Sequence, residues 1–543
     1  MGYAFGELTH HDLPAFTRRA ASDLYTSDQI RRSDAVPAHQ GCCAPGNTVP
    51  VLSQFRKPSG EEVMSKFNVS RRTFVNGGLG LTVANFVPGT TPFASAATME
   101  ESTIAAAKGV TPAAVNGMIW SPYLVPMQPV IAEFSKQTNI TIGAVQDISI
   151  FDAPQRAMAE ALARSPQFDF IHIDSNMIPS LASAGYLEPL DEYMKKANFK
   201  VDAVGDYGTF MTYGGQTYGV PTDGNVHIQY VRKDLIEDPD NKKRYADKYG
   251  KELRFPQTWE EEKQIQETLM DPSKDLYGSG NLRNRANGPT WWYMIFYSAG
   301  GFPFDDDMKP TLNTPAGQYA VDLYLQDKKV NHPEAANWGT PQQIPRIAQG
   351  HVVACQYWDG TAKLNENPEK SKTTGKWLYG LVPGSDFSGK RLHRSISSPL
   401  AAILVNKYSP RKAQAAYLAL WLGSGKNSVP IVSDPVNTFN DAWAKDHMTS
   451  DVVKKAYSPA GVKAIETNFQ VVAPPIYLTG YLEFQDALGK NLSEAFVGQL
   501  PAKDVLKKTE DEWTGIIRRI GQSKLKKDLE SYKALMPKRA TPA

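Results

Sequence analysis

Short apolar runs that resemble β-strands alternate with helical patterns from Val115 onward, and this alternation limits the fold more than any other feature of the chain. The order strand, helix, strand, helix, strand predicts an α/β architecture with mainly parallel sheets. The predicted strands are 117–120, 140–145 and 168–173, and the helices between them are 130–137 and 153–164. Because ligands bind at the carboxyl ends of such strands, we expect Trp120 and Asp174 to face one cleft.

The same kind of pattern continues along the rest of the chain. It predicts a hairpin at 213–218, strands at 226–231, 352–357 and 401–405, a helix that begins at Thr258, and helices at 413–422 and 500–520. Threonine is a good N-cap, because its hydroxyl accepts a hydrogen bond from the first helical turn.

Composition excludes several classes of function. The 543-residue chain has 59 Lys and Arg residues against 57 Asp and Glu residues, a net charge of +2. Binding of nucleic acid needs a concentrated basic surface, and a net charge of +2 over this length indicates none, so we expect no nucleic-acid partner. The length predicts more than one domain. The three cysteines have no metal-ligand spacing and no cofactor motif is visible, so we expect neither a metal nor a cofactor.

Residues 64–96 contain no acidic residue and have the three parts of an export signal. These parts are a basic segment with Lys66, Arg71 and Arg72, a weakly apolar run at 74–87, and a small-residue cleavage site at 94–96. The segment 70–74 resembles a twin-arginine signal, although Val75 and Asn76 depart from the usual Leu and Lys. We therefore expect export by the twin-arginine translocase to the periplasm, with cleavage near Ala96.

Residues 1–63 do not have the layout of an export signal, because they are polar and have Glu61 and Glu62 where a basic segment would be expected. Two interpretations stay open. Either Met64 is the true start of the protein, or 1–63 form a disordered leader.

Five blocks of sequence resemble successive blocks of the bacterial extracellular solute-binding proteins of the maltose-binding type, and they occur in the order typical of that family. The blocks are DFIHIDSNMIPSLASAGYLEPLDEY, GGQTYGVPTDGNVHIQYVRKDL, FPQTWEE, IAQGHVVACQYWDG and YLEFQDALGKNLSEAFVGQLPAKDVLKKTEDEW. No single block is specific. The occurrence of all five in the order typical of the family, over about residues 115–520, is specific to the family.

This resemblance implies a two-lobed periplasmic binding protein of type II, with a ligand cleft between two α/β lobes and three crossing strands. Lobe 1 would comprise 113–226 and 400–433, and lobe 2 would comprise 229–396 and 438–543. The crossings would fall near 225–229, 395–400 and 434–437. The resemblance also implies delivery of a solute to the permease subunits of an ABC importer, and we expect the protein to act as a monomer.

Side chains that suit a sugar lie at the predicted strand ends and crossings. Sugar rings bind flat aromatic surfaces through their C–H patches, and their hydroxyls need donors and acceptors. The candidate ligand-binding residues are Trp120, Tyr123, Asp174, Asp223, Asn225, His227, Trp291, Trp292, Trp358, Asp359, Asp434 and Asn437.

Several candidates have an alternative role. Trp291 and Trp292 are adjacent and point in different directions, so at least one is expected in the core. Trp358 ends an apolar strand and could pack in the core, but the family pattern implies a stacking tryptophan there. Asp174 could cap a helix, bind ligand or do both, and His227 could be an interior histidine.

The candidates include several aspartates and few cations. Since an unpaired buried charge is costly, this balance favours a neutral carbohydrate or polyol over an anionic ligand. The competing class is a secreted glycoside hydrolase, which would also use aromatic surfaces and paired carboxylates. We expect no enzymatic activity, because the sequence contains no hydrolase or metalloprotease motif.

Overall fold

The computed structural model describes residues 97–397, 401–437 and 439–542. The predicted export signal and residues 1–63 lie outside this range and stay predictions. None of the described helices is long and apolar enough to span a bilayer.

Fifteen strands are present in the described part of the chain. They are β1 (Ala114–Met118), β2 (Thr141–Gln146), β3 (Phe170–Asp174), β4 (Thr212–Tyr213), β5 (Gln216–Thr217), β6 (Gly219–Pro221), β7 (His227–Arg232), β8 (Tyr277–Ser279), β9 (Val352–Trp358), β10 (Trp377–Gly380), β11 (Gly384–Ser385), β12 (Leu392–His393), β13 (Ser395–Ile396), β14 (Ala401–Val405) and β15 (Val472–Ala473).

The same residues form twenty α-helices and five short 3₁₀ turns. The helices are α1 (Met99–Lys108), α2 (Ser121–Thr138), α3 (Ala153–Ala163), α4 (Ile178–Ser183), α5 (Asp191–Lys196), α6 (Lys233–Glu237), α7 (Pro239–Tyr249), α8 (Trp259–Leu269), α9 (Gly288–Ser298), α10 (Pro315–Gln326), α11 (Thr340–Gln349), α12 (Thr361–Asn365), α13 (Lys412–Leu422), α14 (Gly425–Val432), α15 (Lys445–Thr449), α16 (Asp451–Tyr457), α17 (Pro459–Phe469), α18 (Tyr481–Phe496), α19 (Ala502–Ile520) and α20 (Gln522–Leu535). The 3₁₀ turns are Ser175–Met177, Tyr207–Met211, Pro272–Lys274, Asp327–Lys329 and Pro333–Ala336.

Two sheets form the centres of the two lobes. The first has the strand order β2-β1-β3-β14-β6, and the second has the order β10-β7-β9-β8. The predicted α/β class is confirmed, but the expectation of mainly parallel sheets is wrong. Strand β14 runs antiparallel to both β3 and β6, and β7 runs antiparallel to both β9 and β10. Both β14 and β7 are reached by chain passing between the lobes, so neither follows the strand, helix, strand rule that makes neighbouring strands parallel.

The chain passes between the two sheets through segments that lie side by side. The first passage, 222–226, joins β6 to β7, the second leaves β13 at Ser397, and Val226 pairs with Ser397 in an isolated antiparallel bridge. The backbone N–H of Gly224 donates to the carbonyl of Asp441, which follows α14, at 3.2 Å. A Cβ at Gly224 would lie 2.4 Å from the carbonyl oxygen of Ala442, so this close approach of two backbones requires glycine.

The local predictions agree with the structure except at α2. Thr258 caps α8 by accepting a hydrogen bond from the backbone N–H of Glu261, as predicted. Helix α2, in contrast, begins at Ser121, nine residues before the predicted start, and runs through Pro126 and Pro129. Its apolar face, which includes Met127, is buried in the first lobe, and this packing outweighs the low helix propensity of proline.

Candidate functional site

The cleft between the lobes contains two adjacent cavities, which we call the inner and outer compartments. The inner compartment has a volume of about 60 Å³ and the outer one about 240 Å³. Ile150, Phe151 and Trp358 line both of them. Phe151 follows β2 of the first sheet and Trp358 ends β9 of the second, so both lobes contribute to the wall.

The inner compartment has a mainly apolar wall, and the outer one has most of the polar groups. The inner compartment is lined by Trp120, Tyr123, Ile150, Phe151, Asn225, Thr340, Ile344, Trp358, Thr361 and Phe439. The outer compartment is lined by Ile150, Phe151, Pro154, Asp174, Arg285, Ala286, Asn287, Thr290, Trp358, Tyr481, Leu482, Gln485 and Asp486.

Aromatic side chains packed around the start of α2 form one wall of the inner compartment. Trp120 occupies the N-cap position of α2, and its ring centroid lies 5.1 Å from that of Phe439 and 6.4 Å from that of Phe151. Tyr123, one turn into α2, is buried and donates a hydrogen bond from its hydroxyl to Asp223 at 3.0 Å. Edge-to-face packing of this kind holds the rings in place while leaving faces for a ligand.

Trp358 belongs both to the core and to the cleft. Its residue is only 9% exposed, and its ring packs against His227 at 4.8 Å and Trp291 at 5.8 Å between centroids. It nevertheless lines both compartments. The two roles that the sequence presented as alternatives therefore coincide in one side chain.

The structure places His227, Trp291 and Trp292 in the interior, and none of them lines either compartment. His227 Nδ1 lies 3.1 Å from the carbonyl oxygen of Ile396, and burial lowers the pKa of its imidazole to about 4. Trp291 donates from Nε1 to the carbonyl of Gln356 at 3.0 Å. Trp292 stacks on Phe296 in the same helix. We therefore correct the prediction for these three residues. Trp291 and Trp292 lie in α9, which is buried on every side, and His227 lies on β7, whose residues are all buried.

Asp174 combines a capping role with a place in the outer compartment. One carboxylate oxygen accepts a hydrogen bond from the backbone N–H of Asn176 at 3.0 Å, and the other accepts from the Tyr481 hydroxyl at 2.9 Å. Asp174 belongs to the first sheet and Tyr481 to α18, so this contact joins the two walls of the cleft.

Asp223 and Asp359 lie behind the cleft, not in it. Together with Asp441 they form a buried carboxyl cluster, in which Asp223 accepts hydrogen bonds from Tyr123, from Asn225 and from the backbone N–H of Asp441. Neither Asp223 nor Asp359 lines either compartment. We therefore correct their predicted role from ligand contact to support of the passages between the lobes. Asn225, by contrast, lines the inner compartment.

Lys363 on α12 supplies a cation to this carboxyl cluster. Its ammonium lies 3.7 Å from Asp441 and donates to the carbonyls of Asn440 at 2.7 Å and Val432 at 3.2 Å. Burial raises the pKa of Asp223 and Asp359 well above the ordinary value, and repulsion from Asp441 adds to the rise. Burial also lowers the pKa of Lys363, against the attraction of the carboxylates. Because only one lysine faces three buried carboxyl groups, these aspartates keep their protons to a higher pH than exposed aspartates do.

Asp434 and Asn437 lie in the segment 434–437, which follows α14, and do not line either compartment. Asp434 accepts a hydrogen bond from the backbone N–H of Val436 at 2.9 Å. The Asn437 side-chain amide donates to the carbonyl of Pro122 in α2. Pro126 has no N–H for that carbonyl, so the Asn437 amide satisfies an acceptor that the helix leaves open. Their ligand contacts stay predictions.

Sequence analysis missed much of the cleft wall. Phe151 is 58% exposed, and an exposed phenylalanine beside a strand end is a signal that could have been used. Phe439 lies in a segment without a clear pattern, and Tyr481 begins the fifth of the sequence blocks but was not among the candidate residues. Asp441 and Lys363 could be recognised only from their contacts, since no local motif contains them.

A larger recess of about 770 Å³ lies apart from the cleft. It is lined by Val204, Gly205, Asp206, Lys445, Met448, Thr449, Glu466, Gln470, Lys538 and Arg539. It has no aromatic ring and shares no residue with the two compartments. Among the described residues, no group of three or more His, Cys, Asp or Glu side chains could hold a metal ion.

Two mixed sheets joined by adjacent passages, with an aromatic cleft between them, define a two-lobed binding protein of the periplasmic type II class. The chain belongs to the bacterial extracellular solute-binding protein family, whose model matches residues 121–464. The predicted family and fold are thereby confirmed.

Solved structures of the same architecture are similar to this chain. A solute-binding protein of an ABC transporter from Agrobacterium radiobacter K84, in complex with ribitol, is 20% identical, with a TM-score of 0.63 over 75% of this chain and 100% of that chain. Maltose-bound MalE3 of T. maritima is 19% identical, with a TM-score of 0.62 over 74% of this chain and 100% of that chain. A solute-binding protein from Agrobacterium vitis S4, with bound D-mannitol, is 18% identical, with a TM-score of 0.60 over 75% and 99% of the two chains. These similarities establish a shared fold.

Proposed function

We propose that this protein is the solute-binding component of an ABC importer and that it captures a neutral carbohydrate or polyol in the cleft. The observation that carries the proposal is the joint lining of one cleft by Phe151 from the first lobe and Trp358 from the second. A ligand between them contacts both lobes and favours their closure by its higher affinity for the closed state. The ligands of the three similar structures are ribitol, maltose and D-mannitol, which belong to the proposed class.

The charges in the outer compartment support a neutral ligand. Arg285 and Asp486 form a bidentate ion pair, with Nε to Oδ1 at 2.7 Å and a second nitrogen to Oδ2 at 2.5 Å. Because Asp486 neutralises the charge of Arg285, this pair offers an anionic ligand no net positive charge. Asn287, Thr290 and Gln485 add donors and acceptors suited to hydroxyl groups.

We also propose that the protein binds its ligand without converting it. A glycoside hydrolase needs two carboxyl groups placed on either side of a glycosidic bond. In the outer compartment Asp486 is paired with Arg285, and Asp174 is engaged by Asn176 and Tyr481. Both carboxylates are therefore used in positioning the wall.

The remaining assignments are part of this proposal. We propose lobe 1 as 113–226 with 400–433 and lobe 2 as 229–396 with 438–543, in keeping with the two sheets. We propose export through the twin-arginine translocase to the periplasm, function as a monomer, and transfer of the ligand to the importer's permease subunits. The extracellular character of the family supports this location.

The test is a thermal-shift screen of the mature protein against neutral sugars and polyols, with product analysis on every hit. A bound ligand raises the melting temperature, because stability increases by RT ln(1 + [L]/Kd). Small-angle scattering should give a smaller radius of gyration with a saturating ligand. Conversion of a sugar, or an unchanged radius at saturation, would contradict the proposal.

A further inference from the structure

The difference in size and chemistry between the two compartments restricts the ligand further. A dry cavity that holds benzene measures about 150 Å³, and one water needs about 10–15 Å³. The inner compartment, at about 60 Å³, is therefore too small for an aromatic or sugar ring but large enough for a substituent of about two to four heavy atoms. The outer compartment, at about 240 Å³, has room for one sugar ring.

The wall of the inner compartment favours a substituent with a methyl group. Trp120, Phe151, Phe439, Ile150 and Ile344 present apolar surface to it. A hydroxyl or an ammonium group placed against this apolar surface would lose its hydration. A methyl group gains from the same burial, because its apolar surface is removed from water.

Two threonine hydroxyls supply the polar part of this wall. The Tyr123 hydroxyl and the Asn225 amide both donate to Asp223 and are already engaged. Thr340 and Thr361 begin the helices α11 and α12, and neither hydroxyl has a hydrogen-bond partner among the described residues. A hydroxyl both donates and accepts, so this pair can serve one carbonyl oxygen and one N–H group.

We propose that the ligand is a sugar that carries an acetyl group, with the ring in the outer compartment and the acetyl group in the inner one. This inference rests on the proposed function and names a substrate class for the same cleft. The methyl group contacts the aromatic wall, and the carbonyl oxygen accepts a hydrogen bond from Thr340 or Thr361. An acetamido group also has an N–H for the second threonine, whereas an O-acetyl ester does not, so the acetamido sugar is the better match.

The experiment is calorimetric titration of the mature protein with matched sets of ligands. Each set contains a parent hexose, its 2-amino sugar, its 2-acetamido sugar, its 2-formamido sugar and its 2-O-acetyl ester, in the gluco, galacto and manno series. In at least one series the acetamido sugar should bind about tenfold or more tighter than the parent, which corresponds to about 1.4 kcal/mol. The formamido sugar should lose most of this gain because it lacks the methyl group. Comparison of the 2-O-acetyl ester with the 2-acetamido sugar shows whether the protein prefers an O-acetyl or an N-acetyl group.

Two variants connect the preference to the inner compartment. Ile344→Phe should fill the cavity and lower the affinity ratio of acetylated to parent sugar towards one. Thr361→Val removes a hydroxyl at nearly constant volume and should weaken acetamido sugar binding by about three- to tenfold. The matched control is Thr514→Val, at an exposed position of α19, which should leave the ratio unchanged.

The outcomes separate the inference from the proposed function. If parent sugars bind as tightly as their acetylated partners, or if Ile344→Phe keeps the acetyl preference, the acetyl inference is wrong while carbohydrate binding stands. If no member of any set binds and the wider sugar and polyol screen is also negative, the proposed function fails, and the inference fails with it.

Discussion

Lys363 is the cation of the buried carboxyl cluster, so Lys363→Met tests how the passages between the lobes are stabilised. The variant keeps a similar length of apolar side chain but removes the ammonium group. That group makes two hydrogen bonds, to Asn440 and Val432, and lies 3.7 Å from Asp441. Asp223, Asp359 and Asp441 would then share a buried site without a countercharge from Lys363.

The expected loss of stability is about 3–5 kcal/mol at pH 8, the range for removing one partner of a buried ion pair. The two lost hydrogen bonds alone account for about 3 kcal/mol or more, since bonds from a charged donor contribute about 1.5–3 kcal/mol each. The desolvation that Lys363 no longer undergoes offsets part of the loss, because burial already lowers the pKa of this lysine.

The loss should depend on pH in a defined direction. The pKa values of Asp223, Asp359 and Asp441 are raised in the folded protein. Stability from such groups is fully present below their unfolded pKa of about 3.9 and is lost as the pH rises through the folded pKa. Removing Lys363 raises these pKa values further, so the variant should lose more stability at pH 8 than at pH 5.

The assay is urea unfolding of wild type and variants at pH 5 and pH 8. The double variant Lys363→Met with Asp441→Asn removes one charge of each sign and should recover part of the stability at pH 8. Lys463→Met, which removes an exposed partner of Glu466, is the control and should change stability by less than about 0.5 kcal/mol. Equal losses at both pH values, or no recovery in the double variant, would refute the electrostatic account.

The other predictions concern the cleft and a second buried acid. Trp358→Ala should weaken ligand binding by about 2–4 kcal/mol and lower stability by about 3–5 kcal/mol, because the ring belongs to both the cleft wall and the core. Calorimetry measures the first effect and urea unfolding the second. If only one of the two effects is observed, the role that predicts the other is absent. Phe151→Ala should weaken binding but change stability by less than about 0.5 kcal/mol, since the residue is exposed, and a large fall in melting temperature would contradict this. Burial raises the pKa of Glu262 to about 7, so its contribution to stability, up to about 3 kcal/mol, should be lost as the pH rises from about 4.5 through about 7. Glu262→Gln should lack this pH-dependent loss. Identical pH profiles of stability for variant and wild type would disprove the assignment.

Most of the secondary structure followed from local sequence. The strand pattern around β3 and β14 and the cap at Thr258 depend on side-chain periodicity and on bonds within one helical turn, which a sequence shows directly. The order of the five sequence blocks also predicted the family and the two-lobed fold. Helix α2 is the exception, because Pro126 argues against a helix locally, whereas the Asn437 amide, more than 300 residues away, satisfies the carbonyl that proline leaves open.

The function of individual polar residues was decided only by the tertiary structure. Asp174 and Asp359 both follow or end a buried strand, and the sequence gives no reason to separate them. In the fold Asp174 reaches the outer compartment and Tyr481, while Asp359 lies behind the cleft beside Asp441 and Lys363. A carboxyl group binds ligand or supports the passages according to its burial and its charged neighbours, and those come from chain segments far apart in sequence.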